Sequence, residues 1–206
     1  MFNVRFHGRG GQGVVTAAEM LSVAAFDCGL HAQAFPTFGS ERTGAPVTSY
    51  CRVDDRPIRF HEPIEEPQAI VVQDPTLLHA VPVLAGVQPS SYVLLNTSRE
   101  LSLAGVPDGD RVAPDRLVTL AATDLAREVL GRPVPNTALL GALAALTGVV
   151  PLEAVLVAIR QRFAGPVAEA NVELAVRAHA SVAHDSMGTV RAMGPARAGG
   201  TVGGRA

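Results

Sequence analysis

Apolar and polar positions alternate over residues 2–7 (FNVRFH), with Val4 and Phe6 on one side of the repeat, and a period of two predicts a short strand. GRGGQG follows, and residues 14–26 are then almost continuously apolar and rich in alanine. That run is too long for a strand and predicts a buried helix, with Gly29 just past its end as a stop. The first unit therefore reads strand, glycine turn, helix. Residues 31–35, 47–53, 69–73, 92–95 and 117–121 carry further strand patterns, and 56–60 is expected to pair with 47–53 across a turn at Asp54 and Asp55. Residues 36–46 have loop chemistry. A short helix over 75–85 is expected to open on Pro75. Four helical patterns close the chain, at 123–130, 136–147, 152–163 and 166–183. Strands separated by helices predict an α/β fold: a Rossmann-like, mostly parallel sheet with helices on both faces and a helix-rich C-terminal end. The domain is expected to span residues 1–185. Residues 186–206 hold six glycines and three arginines, with no acid and no aromatic, which predicts a disordered tail.

Composition narrows the chemistry. With 48% apolar and 17% charged residues among 206, the chain has ample material for a core. A net charge of −2 leaves no basic excess to grip a polyanion, so nucleic acid is not an expected partner. All the basic residues are arginine. Without lysine there is no Schiff-base chemistry and no P-loop. Two cysteines, Cys28 and Cys51, fall short of a four-thiolate iron–sulfur cluster or a closed zinc site, and both read as core residues. Arg5, His7 and Arg9 interrupt the first ten residues, so no signal peptide is read and the expected location is cytoplasmic. The longest uncharged run, 133–152, leaves about 15 residues of helix after its prolines, where a bilayer needs roughly 20; no membrane contact is expected.

Gly8, Gly10 and Gly13 fit G-x-G-x-x-G between a strand and a helix. In that context the first glycine allows a tight turn, the second lets backbone approach a phosphate, and the third lets the helix pack on the strand. The helix N-terminus then offers N–H groups to an anion; the alternative is a turn that binds nothing. A nicotinamide dinucleotide wants an acid about 20 residues further on, and at that spacing stands Gln33. NAD is therefore disfavoured, whereas Arg42 suits a ligand with an extra ribose phosphate, NADP or coenzyme A. The loop FGSERTGAP reads either as a ligand or partner contact or as a solvated turn. His7, beside the glycine turn, reads either as ligand-facing or as hydrogen-bonded at a strand edge. Asp74, before Pro75, is expected to cap a helix, with ligand contact as the alternative. No acid, base and nucleophile set is complete, and no serine-hydrolase elbow is present. The pattern suits a binding or assembly module.

Three stretches carry a resemblance. RFHGRGGQGVV, from Arg5 to Val15, resembles the opening of the gamma subunit of pyruvate:ferredoxin oxidoreductase and related 2-oxoacid:acceptor oxidoreductases. AQAFPTFGSERTGAPV, from Ala32 to Val47, is similar to that family's second signature, and QDPTLL, from Gln73 to Leu78, to a third. The helical end, from NTALLG at Asn136 through Asn171, is similar as well. Thr43 departs from the pattern, which often has a second arginine there. The resemblance implies an enzyme subunit inactive alone, within a complex that oxidatively decarboxylates a 2-oxoacid, with pyruvate the expected one, to acyl-CoA, carbon dioxide and reduced ferredoxin. It implies thiamine diphosphate and iron–sulfur clusters on partners, namely thiamine-binding alpha and beta subunits and a ferredoxin-like subunit. It implies that Gly8, Arg9, Gly10, Gly11, Gln12 and Gly13 cradle a phosphate of coenzyme A, and that Ser40, Glu41 and Arg42 lie near the active-site subunits. A stand-alone NADP-binding oxidoreductase and a structural subunit with an empty glycine turn are the alternatives.

Overall fold

Strand β1 (Phe2–Arg9) leads into helix α1 (Val14–Asp27), as its pattern requires. A computed structural model describes residues 1–37, 44–59, 62–99, 102–184 and 190–192. After α1 come β2 (His31–Thr37), β3 (Pro46–Asp54), β4 (Ala69–Val72), β5 (Tyr92–Asn96) and β6 (Leu117–Leu120). Helices α2 (Ala122–Leu130), α3 (Asn136–Thr147), α4 (Leu152–Arg162) and α5 (Gly165–Ser181) follow. The sheet order is β2-β3-β1-β4-β5-β6. Strands β1, β4, β5 and β6 run parallel, while β3 lies antiparallel between β1 and β2.

The period of two sorts the parallel strands β4 and β5 between two cores, while β1 adds to one of them. Val4 and Phe6 of β1, Val71 of β4, Leu94 of β5 and Val118 of β6 join the buried faces of all five α-helices in one cluster. The alternate residues, Ile70, Val72, Val93 and Leu95, pack on the other face against Leu77, Leu78, Leu84, Val87 and Val106. Helical cover is thus unequal in kind: α-helices on one face, and on the other short 3-10 turns such as Pro75–His79 with their loops. Helix α3 is buried on every side, which is why its sequence is apolar all round.

Three expectations need correction. Residues 56–59 form no strand: the Asp54 carboxylate accepts from the Arg56 N–H at 3.2 Å, and Pro57 has no N–H to donate to a ladder; Phe60 lies outside the described residues. The helix expected over 75–85 is only the 3-10 turn Pro75–His79, because Pro82 cannot continue it. Cys28 is exposed, not core. It caps α1, and the chain turns away there: the Gly29 N–H bonds Phe26 O and the Leu30 N–H bonds Ala25 O, the double bond of a Schellman stop. Of the expected tail, Val190–Ala192 are described and form β8, antiparallel to β7 (Val182–His184); residues 186–189 and 193–206 lie outside the described residues. Among the described residues no helix is long and apolar enough to cross a membrane.

Candidate functional site

From β1 the chain moves to one edge of the sheet, returns through β3, and then builds β4, β5 and β6 on the other side. The direction reverses between β1 and β4. In open α/β sheets the crevice outside the carboxyl ends of the strands at such a point is where ligands sit. Here β1 delivers the glycine turn and β4 delivers Gln73 and Asp74.

The turn is shaped by what its glycines lack. A Cβ on Gly8 would lie 2.6 Å from Val14 Cγ2, so its absence lets α1 close on β1. Positive φ falls on Gly11 (95°) and Gly13 (75°), not on Gly8. A Cβ on Gly13 would also meet Asn136 Nδ2 at 2.6 Å, so this glycine admits the start of α3. Gly13 brings no side chain to cap α1, whose first N–H groups have no side-chain cap. The Gly10 N–H is taken by Ala45 O at 3.0 Å, which ties the turn to the entry of β3.

Arg9, Gln12 and Asp74 form one network. The Arg9 guanidinium donates to Asp74 Oδ2 at 2.9 Å, Thr76 Oγ1 at 2.9 Å and Gly44 O at 3.1 Å. Gln12 Oε1 accepts from the Arg9 N–H at 2.7 Å, and its Nε2 donates to Asp74 Oδ2 at 3.2 Å. Asp74 Oδ1 takes the Thr76 N–H at 3.0 Å, so the expected cap forms. Burial alone would raise the Asp74 pKa. The Thr76 hydroxyl and amide, the Gln12 amide and the Arg9 charge outweigh it and hold the carboxyl below its ordinary value. Asp74 is therefore a compensated anion, which does not repel a second one as a bare carboxylate would.

Beyond this network a cleft of about 480 Å³ runs along the ends of β4, β5 and β6, lined by Gln12, Gln73, Thr76, Asn96, Arg99 and Arg127 among others. Asn96 organises it: Nδ2 donates to Gln73 O and to Thr123 Oγ1, both at 2.7 Å, while Oδ1 accepts from the Thr123 N–H at 3.0 Å and so holds the start of α2.

Of the predicted Gly8, Arg9, Gly10, Gly11, Gln12 and Gly13, Arg9 and Gln12 are joined to Asp74 by side-chain hydrogen bonds, and Gln12 lines the cleft. Ser40, Glu41 and Arg42 lie outside the described residues. His7 is not at a sheet edge, because β3 and β4 flank β1. The imidazole is buried, with Nδ1 at 3.3 Å from Thr48 Oγ1, and burial, assisted by Arg5, pushes its pKa down to about 3. Cys51 is buried in the core, which pushes its thiol up to about 12, far from a nucleophilic thiolate. Among the cleft residues, Gln73, Asn96, Arg99, Thr123 and Arg127 are not among the site residues that the sequence motifs predict. A usable signal exists for Gln73 and Asn96: each is a polar residue at the carboxyl end of an apolar strand, where α/β sheets place their ligands.

The architecture departs from a dinucleotide fold. There the second strand is the neighbour of the first; here β3 stands between β1 and β2. The family model of pyruvate ferredoxin/flavodoxin oxidoreductase matches residues 3–181. The chain belongs to that family. The gamma subunit common to the pyruvate and ketoisovalerate oxidoreductases of Thermococcus kodakarensis is 49% identical over 178 residues, 86% of this chain and 95% of that protein. The pyruvate synthase subunit PorC of Methanothermobacter thermautotrophicus is 42% identical over 182 residues, 88% and 96% of the two. The crystal structure of pyruvate oxidoreductase subunit PORC from Thermotoga maritima has a TM-score of 0.73 at 35% identity, covering 87% of this chain and 95% of that one. This family member is therefore a gamma-type subunit of a 2-oxoacid:ferredoxin oxidoreductase. Its own donors do not fit an iron–sulfur cluster: one of its two thiols is buried in the core and the other caps α1, where a cluster asks for four ligands. Among the described residues no group of three or more His, Cys, Asp or Glu side chains suits a metal ion.

Proposed function

We propose that this gamma-type chain supplies the coenzyme A end of a multisubunit, cytoplasmic 2-oxoacid:ferredoxin oxidoreductase, with pyruvate as the 2-oxoacid. Residues 1–185 serve as its gamma domain. The observation that carries this reading is a cleft at the carboxyl ends of β4, β5 and β6, with Gln12 of the glycine turn in its lining, in a chain that matches gamma subunits along nearly their whole length. Thiamine diphosphate and iron–sulfur clusters on partner subunits supply the carbanion and electron chemistry of the decarboxylation. This chain's residues bind and orient. The first N–H groups of α1 and the side chains of Arg9 and Gln12 receive a phosphate of coenzyme A at the glycine turn. The Arg9–Asp74 pair keeps the turn rigid while presenting no net charge against the ligand. Ser40, Glu41 and Arg42, in the loop between β2 and β3, face the thiamine-binding alpha and beta subunits, and a ferredoxin-like subunit completes the complex.

The test is reconstitution. The chain alone shows no turnover with a 2-oxoacid, and activity appears when thiamine- and cluster-bearing subunits are added; turnover by the lone chain overturns the assignment. In the assembled enzyme, Gly10→Val is expected to raise the KM for coenzyme A about tenfold with the 2-oxoacid KM unchanged. An unchanged KM with assembly intact leaves the chain as a structural subunit only.

A further inference from the structure

Gln73 is 2% exposed, and neither end of its amide has a hydrogen-bond partner among the described residues. Its backbone is held from both sides. The N–H donates to His7 O at 2.7 Å, and the carbonyl accepts from Asn96 Nδ2 at 2.7 Å. Strands β1 and β5 therefore set where this side chain begins, while its polar end is left without a protein partner. The neighbouring amides differ. Gln12 uses both ends on Arg9 and Asp74, and Asn96 uses both on Gln73, Thr123 and the start of α2. A buried amide unpaired at both ends works against folding, and native interiors retain such groups where something else pairs them. Gln73 belongs to the lining of the cleft, and Gln12 lies close to it: a Cβ built on Gly8 would stand 3.2 Å from Gln73 Cβ and 2.9 Å from Gln12 Oε1. Gln12 is the more exposed of the two.

We infer that Gln73 is a specificity residue of the cleft, which recognises a planar ligand edge carrying a hydrogen-bond donor beside an acceptor once the Gln12 side chain moves aside. The chemistry follows from the group. A carboxamide offers an N–H donor and a C=O acceptor on one edge, so its complement is a primary amide or the N6/N7 edge of adenine. A phosphate or carboxylate brings acceptors alone and leaves Oε1 unpaired; a hydrocarbon satisfies neither end. The inference rests on the coenzyme A reading, and in coenzyme A the adenine base carries that edge, whereas the trans secondary amides of the pantetheine arm hold N–H and C=O on opposite edges.

The experiment uses the assembled oxidoreductase and three probes: coenzyme A, pantetheine, and 3′,5′-ADP. Gln73→Met keeps the length and removes both polar atoms. It is expected to weaken coenzyme A binding about tenfold, together with that of 3′,5′-ADP and not of pantetheine. Weakened 3′,5′-ADP with pantetheine unchanged assigns Gln73 to the base; weakened pantetheine with 3′,5′-ADP unchanged overturns the inference. Hydrogen exchange of the β4 amides in the unliganded complex is expected to be unchanged or slower in this variant, since two unpaired atoms are gone; faster exchange would show a structural role and overturn the inference. Gln73→Glu, which retains the acceptor and loses the donor, is expected to weaken the same fragment. Equal affinities of wild type and both variants for all three probes overturn the inference alone, provided coenzyme A protects residues 73–76 and 96–99 from exchange in the wild-type complex. Absence of that protection overturns the coenzyme A reading and the inference with it.

Discussion

The three strands at the antiparallel end of the sheet have two faces that differ in kind. One carries Ala32, Ala34, Val4, Phe6, Cys51 and Val53 and lies within the α-helical core under α1. The other carries rows set by register: Asn3 opposite Arg52 opposite Gln33, then Arg5 opposite Tyr50 opposite Phe35. The Phe35 and Tyr50 rings stack at 5.0 Å, and the Arg52 guanidinium sits 5.1 Å over Phe35. Apolar contacts need no particular partner, so the first face is satisfied once it is filled. On the second face each group needs a specific one. Arg5 finds the carbonyls of Ile64, Val83 and Ala85, and Arg52 that of Glu62. Yet Asn3 Oδ1, Arg5 Nε, His7 Nε2, Gln33 Oε1 and Arg52 Nη1 are buried without a partner among the described residues. The first face therefore carries stability through volume. The second anchors the loops that cross it, and answers to protonation and to the loss of single groups.

The contrast can be broken in three measurements. The largest effect belongs to the filled face. Phe6 is fully buried, and Phe6→Ala is expected to cost about 4 kcal/mol in denaturant unfolding, by lost transfer energy and a cavity. A cost near that of a surface substitution would show that this face does not carry the core.

Next comes pH. His7 titrates near 3 when folded and near 6.5 when unfolded. Below pH 6.5 the unfolded chain takes up a proton that the folded chain refuses, so stability falls as pH drops toward 3 and is unaffected by this group above about 7. The share of His7 at pH 4 is about 3 kcal/mol. His7→Gln is expected to be flatter than wild type by that amount between pH 7 and 4, read from urea midpoints. Parallel curves would place His7 in contact with water.

The smallest effect is at Arg5. Arg5→Met preserves bulk but leaves three loop carbonyls unpaired, and is expected to cost about 2 kcal/mol. A neutral outcome would mean that those carbonyls find other donors and that the loop does not depend on Arg5.

Much of the fold is legible in the residue pattern, and the exceptions have local causes. Residues 136–147 read as helix and are α3, because an alanine- and leucine-rich run without proline has no better conformation. The stretch 56–60 has strand-like composition, but an Asp54 side chain and Pro57 remove the donors a ladder needs. Cys28 follows the apolar run 14–26 and Asp27 and sits where α1 ends, so it is exposed. At the site, the glycine turn is legible because its chemistry is local. The pairing of Gln73 with Asn96 is not, because it is a hydrogen bond between the ends of neighbouring parallel strands, 23 residues apart. Arg9 and Asp74 meet across 65 residues, also through neighbouring parallel strands.

The sequence by itself determined most of the elements, the glycine turn and the family, because periodicity, turn chemistry and ordered motifs are written along the chain. Only the tertiary structure decided that β3 inserts beside β1, that His7 lies inside the sheet, and that Gln73 ends up buried with its amide unpaired. Those follow from strand order and register, which are settled by the packing of the whole sheet and not by any short stretch of residues.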